Sequence, residues 1–159
     1  AAELHRQTGE ARHLEALLDA LDLEFSWQWA YDTHSENEPL ASLGWRSTGG
    51  AAASACNVHL AQMNALIAPE MAYAAQVTGD EHLASRLRDA IAFSLGTINR
   101  VDGEFGFGLQ GMVTEQFFHT DAVQGALGAD GGILPYNLVW PQACVLIAAL
   151  WADEAGVGR

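Results

Sequence analysis

The spacing of apolar residues divides the chain into helical blocks of two kinds. Residues 10–31 read EARHLEALLDALDLEFSWQWAY, with Leu14, Leu17, Leu18, Leu21 and Phe25 recurring every three or four positions. Arg12, Glu15, Asp19 and Asp22 recur on the other side, so one face is dry and one wet. Residues 81–98 repeat this design, with Leu83, Leu87, Ile91, Ser94, Leu95 and Ile98 on one stripe. Two other blocks, 52–77 and 138–154, are apolar nearly all round, as in helices buried on most sides. Pro69 is expected to kink or divide the first of these, whereas Pro141 falls in the first turn of the second, where proline is tolerated. The spacing also allows a short helix over 113–126. No strand signal is strong enough to build a sheet, and the pattern predicts an all-α chain.

The blocks recur. Thr8-Gly9-Glu10 returns as Thr78-Gly79-Asp80, and Leu17-Leu18-Asp19-Ala20-Leu21 returns as Leu87-Arg88-Asp89-Ala90-Ile91, both at an offset of 70 residues. Glycine just past a helix suits a left-handed C-cap, and the acidic residue after it suits the next N-cap. The repeated unit is therefore a buried helix, a tight turn, an amphipathic helix and a long connection. Such hairpins stack to bury their apolar faces.

The stretch APEMAYAAQVTGDEHLASRLRDAIAFSL carries small and aromatic residues up one helix, then TGD, then an amphipathic helix. It resembles one hairpin of the (α/α) toroid proteins, the six-hairpin glycosidase-like superfamily. The resemblance covers residues 1–31 and 52–98, with 138–154 as a further inner helix. It implies repeated inner and outer helices, a segment of an (α/α) barrel, and carbohydrate chemistry. At the 70-residue offset, residues 1–7 correspond to the end of an inner helix. The expectation is a single all-α domain, 1–159, that is a portion of a larger toroid, completed by the rest of its own chain or by a homo-oligomeric partner.

The turns are short and the connections, 32–51 and 99–137, are long. Connections of one type emerge at one end of an antiparallel array, so both are expected at one rim. Long loops in compact domains are often functional. The first offers Trp45 beside Arg46: an indole stacks on the apolar face of a pyranose, and a guanidinium binds hydroxyls or a uronate carboxylate. Loop anchoring by Trp45 and pairing of Arg46 with a nearby acid is the plainer alternative. His34 lies in the same connection. The second offers DGEFGFGLQGMVTEQFFHTD, with Glu104, Glu115, His119 and Asp121. Glycoside hydrolysis needs two carboxyl groups about 5–10 Å apart. Glu104 beside Phe105 and Phe107, and Glu115 beside Phe117 and Phe118, suit a desolvated general acid. Glu115 and His119 would share a face of the short helix. By residue type alone, Asn57, His59 and Tyr136 match the groups that toroid-type lyases use to abstract a proton next to a uronate. A uronate lyase with a His or Tyr base is thus one alternative, and a non-catalytic helical-repeat binding domain is another.

Charge narrows the choice. With 20 acidic against 7 basic residues the net charge is −13, which repels nucleic acid and anionic membranes and favours solubility. No apolar run reaches a membrane span of about 18 residues, and no basic-then-apolar leader is visible. Cys56 and Cys144 read as buried thiols, with a disulfide between adjacent helices as the alternative. Histidines 34, 59 and 119 lack paired metal-ligand spacing, and GEFGFG follows a helix rather than a strand, so no metal or other cofactor is expected.

Overall fold

A computed structural model describes residues 1–32, 40–53, 59–106, 108–118, 133–134 and 139–155. The fold is mostly helical. In chain order it runs α1 (Ala2–Thr8), α2 (Ala11–Phe25), α3 (Leu40–Leu43), β1 (Ala51–Ala52), β2 (His59–Ala61), a 3-10 turn (Met63–Ile67), α4 (Ala68–Thr78), α5 (Glu81–Leu95), β3 (Gln116–Phe118), β4 (Ile133–Leu134) and α6 (Val139–Ala155).

The threonine and glycine of the recurring turn have matching tasks in both copies. Thr8 and Thr78 donate their hydroxyls to Leu4 O (2.8 Å) and Ala74 O (2.7 Å), and accept from the N–H groups of Glu10 and Asp80 at 3.2 Å. Gly9 and Gly79 take φ 67° and 68°, a left-handed cap whose N–H returns to the preceding helix. The copies differ at the acid. Asp80 accepts from His82 N at 2.8 Å, whereas Glu10, one methylene longer, makes no side-chain cap.

The apolar stripes meet as their spacing requires. Leu17 and Leu21 of α2, Leu83, Leu87 and Ile91 of α5, Ala68, Met71 and Ala74 of α4, and Ala148 of α6 share one core. Met71 and Ile91 are fully enclosed, each worth about 1.5–3 kcal/mol of transfer free energy. Helix α2 packs on α1 and α4, and α5 packs on α4 and α6.

The second half of each unit recurs as well. After α2, Trp29 N donates to Gly50 O and Ala52 N to Trp27 O, both at 2.8 Å. After α5, Asn99 N donates to Met112 O (2.8 Å) and Thr114 N to Thr97 O (3.0 Å). Residues 27–29 and 97–99 keep the 70-residue offset. Both long connections therefore close on the same kind of two-stranded base.

Three expectations are corrected. The block 52–77 is not one helix: β1 and β2 occupy its start, and the α-helix begins only at Ala68, with Pro69 in its first turn rather than at a kink. An all-round apolar run reads alike for a buried strand and a buried helix, and a proline lacking its N–H fits best where a helix starts. A four-stranded antiparallel sheet, ordered β1-β2-β3-β4, exists where none was expected. Its strands of two or three residues are too short to display a period. Finally, the expected helix over 113–126 is replaced at Gln116–Phe118 by a strand between β2 and β4, and Glu115 precedes that strand rather than lying on a helix. Cys144 is a free buried thiol rather than half of a disulfide, and Cys56 lies outside the described residues.

Candidate functional site

Where the two connections meet, Leu40, Leu60, Phe93, Phe105 and Phe117 form a second apolar cluster. Trp45 stacks on Phe117 with centroids 4.9 Å apart at 28°, and stands edge-on to Phe93 at 5.9 Å. Trp45 thus anchors its loop, and still lines a pocket of about 410 Å³. That volume lies in the range of small-molecule sites, about 300–1,000 Å³. The first connection contributes Trp45, Arg46 and Thr48, α5 contributes Asp89 and Phe93, and the second connection contributes Arg100 and Phe105. Both connections do share one rim.

Two ion pairs border this pocket. Asp32 accepts from Thr48 Oγ1 at 2.6 Å and Thr48 N at 3.1 Å, and lies 3.5 Å from Arg46 Nε. The Thr48 hydroxyl, helped by Arg46, holds the Asp32 carboxyl below the usual carboxylate range. Glu104 accepts from Arg100 Nε and Arg100 N, and also pairs with Arg100 Nη2. Those bonds lower the Glu104 pKa. This corrects the expectation of a proton-retaining Glu104: its side chain is largely enclosed, but a guanidinium bonds it there. Its carboxylate positions Arg100.

Asp89 differs. Its carboxylate makes no hydrogen bond or ion pair with another described residue, and burial raises its pKa, with Asp32 pushing the same way against Arg86 and Arg88. Sequence reasoning passed over Asp89 as a wet-face residue of α5. The signal was the pair Gly49-Gly50, which lets the first connection land on that face. A Cβ at Gly49 would stand 1.9 Å from Asp89 O, and one at Gly50 would stand 2.7 Å from the Phe93 ring.

Glu115 lies elsewhere on the rim, just ahead of β3. It is 5% exposed. Its Oε1 accepts from Trp140 Nε1, in the first turn of α6, at 2.9 Å, while its Oε2 is buried without a partner among the described residues. A buried acceptor with no donor is costly and asks for a functional explanation. The neighbouring Thr114 carbonyl is pinned by Gln62 Nε2, which also donates to Thr97 Oγ1 at 2.9 Å.

The fold therefore gathers Trp45, Arg46 and, through Arg100, Glu104 around one pocket, and keeps Glu115 out of its walls. His34, Asn57, His119, Asp121 and Tyr136 lie outside the described residues. His59 opens β2, paired with Phe118, and its side chain is also outside the description. Among the described residues no group of three or more His, Cys, Asp or Glu side chains is placed to hold a metal ion, and no helix is long and apolar enough to cross a membrane. Comparison with family models, with curated proteins and with solved structures finds no match.

Proposed function

We propose that this chain is a carbohydrate-active enzyme, or part of one, of the glycoside hydrolase type, working at the rim from which its two long connections emerge. The observation that carries the reading is the rim pocket. It pairs an aromatic wall at Trp45 with guanidinium and carboxylate groups at Arg46, Arg100 and Asp89. Aromatic faces pack on sugar C–H groups, and planar polar groups bind ring hydroxyls. Glu115 is kept in this scheme as one of the two carboxyls that glycoside hydrolysis needs; it stands beside the pocket rather than in its walls, with Oε1 fixed by the Trp140 indole. Asp121 and His119 remain the other members of the site.

The proposed architecture is a segment of an (α/α) toroid. The recurrence at 70 residues supports it, and so do the exposed faces. On α5, Arg86, Ala90 and Phe93 are buried beneath the first connection. The matching face of α2, Ala16, Ala20 and Leu23, is exposed, as are Leu146 and Leu150 on α6. A neighbouring hairpin, from a longer chain or a second copy, would cover both.

The test is titration of neutral and acidic oligosaccharides into the chain by NMR, followed by hydrolysis assays on those that bind. Arg46→Ala, whose side chain is exposed and outside the core, should weaken binding without changing the melting temperature. Glu115→Gln should slow hydrolysis by about a hundredfold or more. If no saccharide binds, or if the Glu115→Gln variant hydrolyses a bound glycoside at the wild-type rate, the assignment is wrong.

A further inference from the structure

We infer that the rim pocket selects a neutral pyranose over one carrying a carboxylate, and that Asp89 sets this selectivity. The inference rests on the carbohydrate reading of the same pocket and adds the substrate class to it.

Its basis is the charge arrangement of the walls. The chain's seven basic residues are all arginines, and two of them, Arg46 and Arg100, line this pocket. By themselves they would invite a uronate. Each already has its own acid, however. Asp32 faces Arg46, and Glu104 binds Arg100 through both side chain and backbone. Asp89 comes in addition to those two pairs: no hydrogen bond or ion pair reaches its carboxylate among the described residues, and Arg86 and Arg88, which act on it from its own helix, lie outside the pocket walls. Asp89 therefore stands as an additional carboxylate in a wall whose two guanidiniums each already have an acid, on a chain whose net charge is −13.

A sugar carboxylate in a space of about 410 Å³ meets Asp89 at close range, in surroundings partly shielded from water. The N–H groups that Arg46 and Arg100 have left can still reach it, but the charge they carry is already offset by Asp32 and Glu104. A neutral ring avoids this repulsion. Its hydroxyls donate to the Asp89 carboxylate and accept from guanidinium N–H groups, and both interactions are available without breaking either ion pair.

The experiment compares methyl glucoside, galactoside and mannoside with the matching methyl uronides, which differ only at C6, by titration calorimetry or NMR at pH 7 and low salt. The neutral member of at least one pair should bind on the order of tenfold tighter, the size expected for one like-charge contact at intermediate dielectric. Asp89→Asn should bring the ratio to within about twofold by admitting the uronide, with its fold checked by thermal melting. Asp89→Ser gives the same comparison if the amide disturbs α5. A uronide that binds the wild-type chain as well as its neutral partner overturns the inference and leaves the carbohydrate reading intact. So does a ratio that Asp89→Asn leaves unchanged. If no member of any pair binds, the carbohydrate reading fails, and the inference with it.

Discussion

Gly49 and Gly111 are the same position in two copies of one loop base, and alanine should be far more damaging at the first. Their φ angles are 92° and 85°, and each N–H donates at 2.8 Å, to Trp29 O and Asn99 O respectively. Left-handed backbone costs an alanine about 1–2 kcal/mol at either site. Around Gly111 nothing lies within 4 Å of a new Cβ, so the cost ends there. At Gly49 the Cβ would lie 1.9 Å from Asp89 O and 2.3 Å from Asp89 C. Both atoms belong to helix backbone and cannot rotate aside, so the loop must retreat by roughly 1.5 Å to reach ordinary contact. That retreat stretches the bond that Gly49 O accepts from buried Asn64 Nδ2 (2.8 Å), and lifts Gly50 from Phe93. At about 1 kcal/mol for each disturbed hydrogen bond, plus lost packing, Gly49→Ala should cost roughly 4 kcal/mol, against about 1.5 for Gly111→Ala. Urea unfolding followed by far-UV circular dichroism measures both. Gly79→Ala, at φ 68° in open space, is the reference for strain alone. Equal losses at positions 49, 79 and 111 would show that the first connection does not rest on α5, and the rim pocket would lose its floor.

Further outcomes are expected from charge and burial. Because bonding to Arg100 lowers the folded-state pKa of Glu104, its stabilisation is complete above the unfolded value of about 4.3 and disappears as pH falls through the lower folded value; the stability gap between wild type and Glu104→Gln should close in that window, and a gap that persists at pH 2 contradicts the ion pair. Asp89, raised by burial, behaves in the opposite sense: its folded state is favoured below the unfolded pKa and penalised as pH rises through the folded one, so Asp89→Asn should be the more stable protein at pH 7 and lose that advantage in acid. Replacing Arg86 by alanine removes the 2.8 Å bond from its guanidinium to Gln28 O and its contact with the Phe25 ring, and should cost about 2–3 kcal/mol in urea unfolding; a loss under about 0.5 would make the link between the two units dispensable. In a Cys56→Ser background, Cys144, fully buried with its thiol pushed up to about 11, should resist Ellman's reagent until the chain unfolds, and rapid native labelling would place it at the surface.

The helical part of the fold was legible because each helix contains its own signal. The leucine spacing of α2 and α5, the Thr-Gly turns and the position of Pro141 are local, and they place the starts of α2, α5 and α6 to within a residue or two. The sheet was not legible, since strands of two or three residues draw their stability from partners up to some 60 positions away rather than from a pattern of their own. For the site, the sequence located the meeting of the two connections: Trp45 and Arg46 of the first line one pocket with Arg100, the partner of Glu104, of the second. It could not rank the carboxylates there. Glu104 looked desolvated beside two phenylalanines, yet Arg100, four residues earlier, takes it as an ion-pair partner.

What the sequence by itself determined is the mostly helical character of the chain and the two Thr-Gly turns, because helix spacing and glycine caps depend on near neighbours along the chain. What only the tertiary structure decided is the state of each carboxylate. Asp32 is held ionised by Thr48 across a loop, Asp89 is shielded by the connection that crosses it, and Glu115 is gripped at one oxygen by an indole 25 residues further along. Proton affinity follows the dielectric surroundings and the hydrogen-bond donors that folding brings within a few ångströms, and those neighbours are distant in sequence.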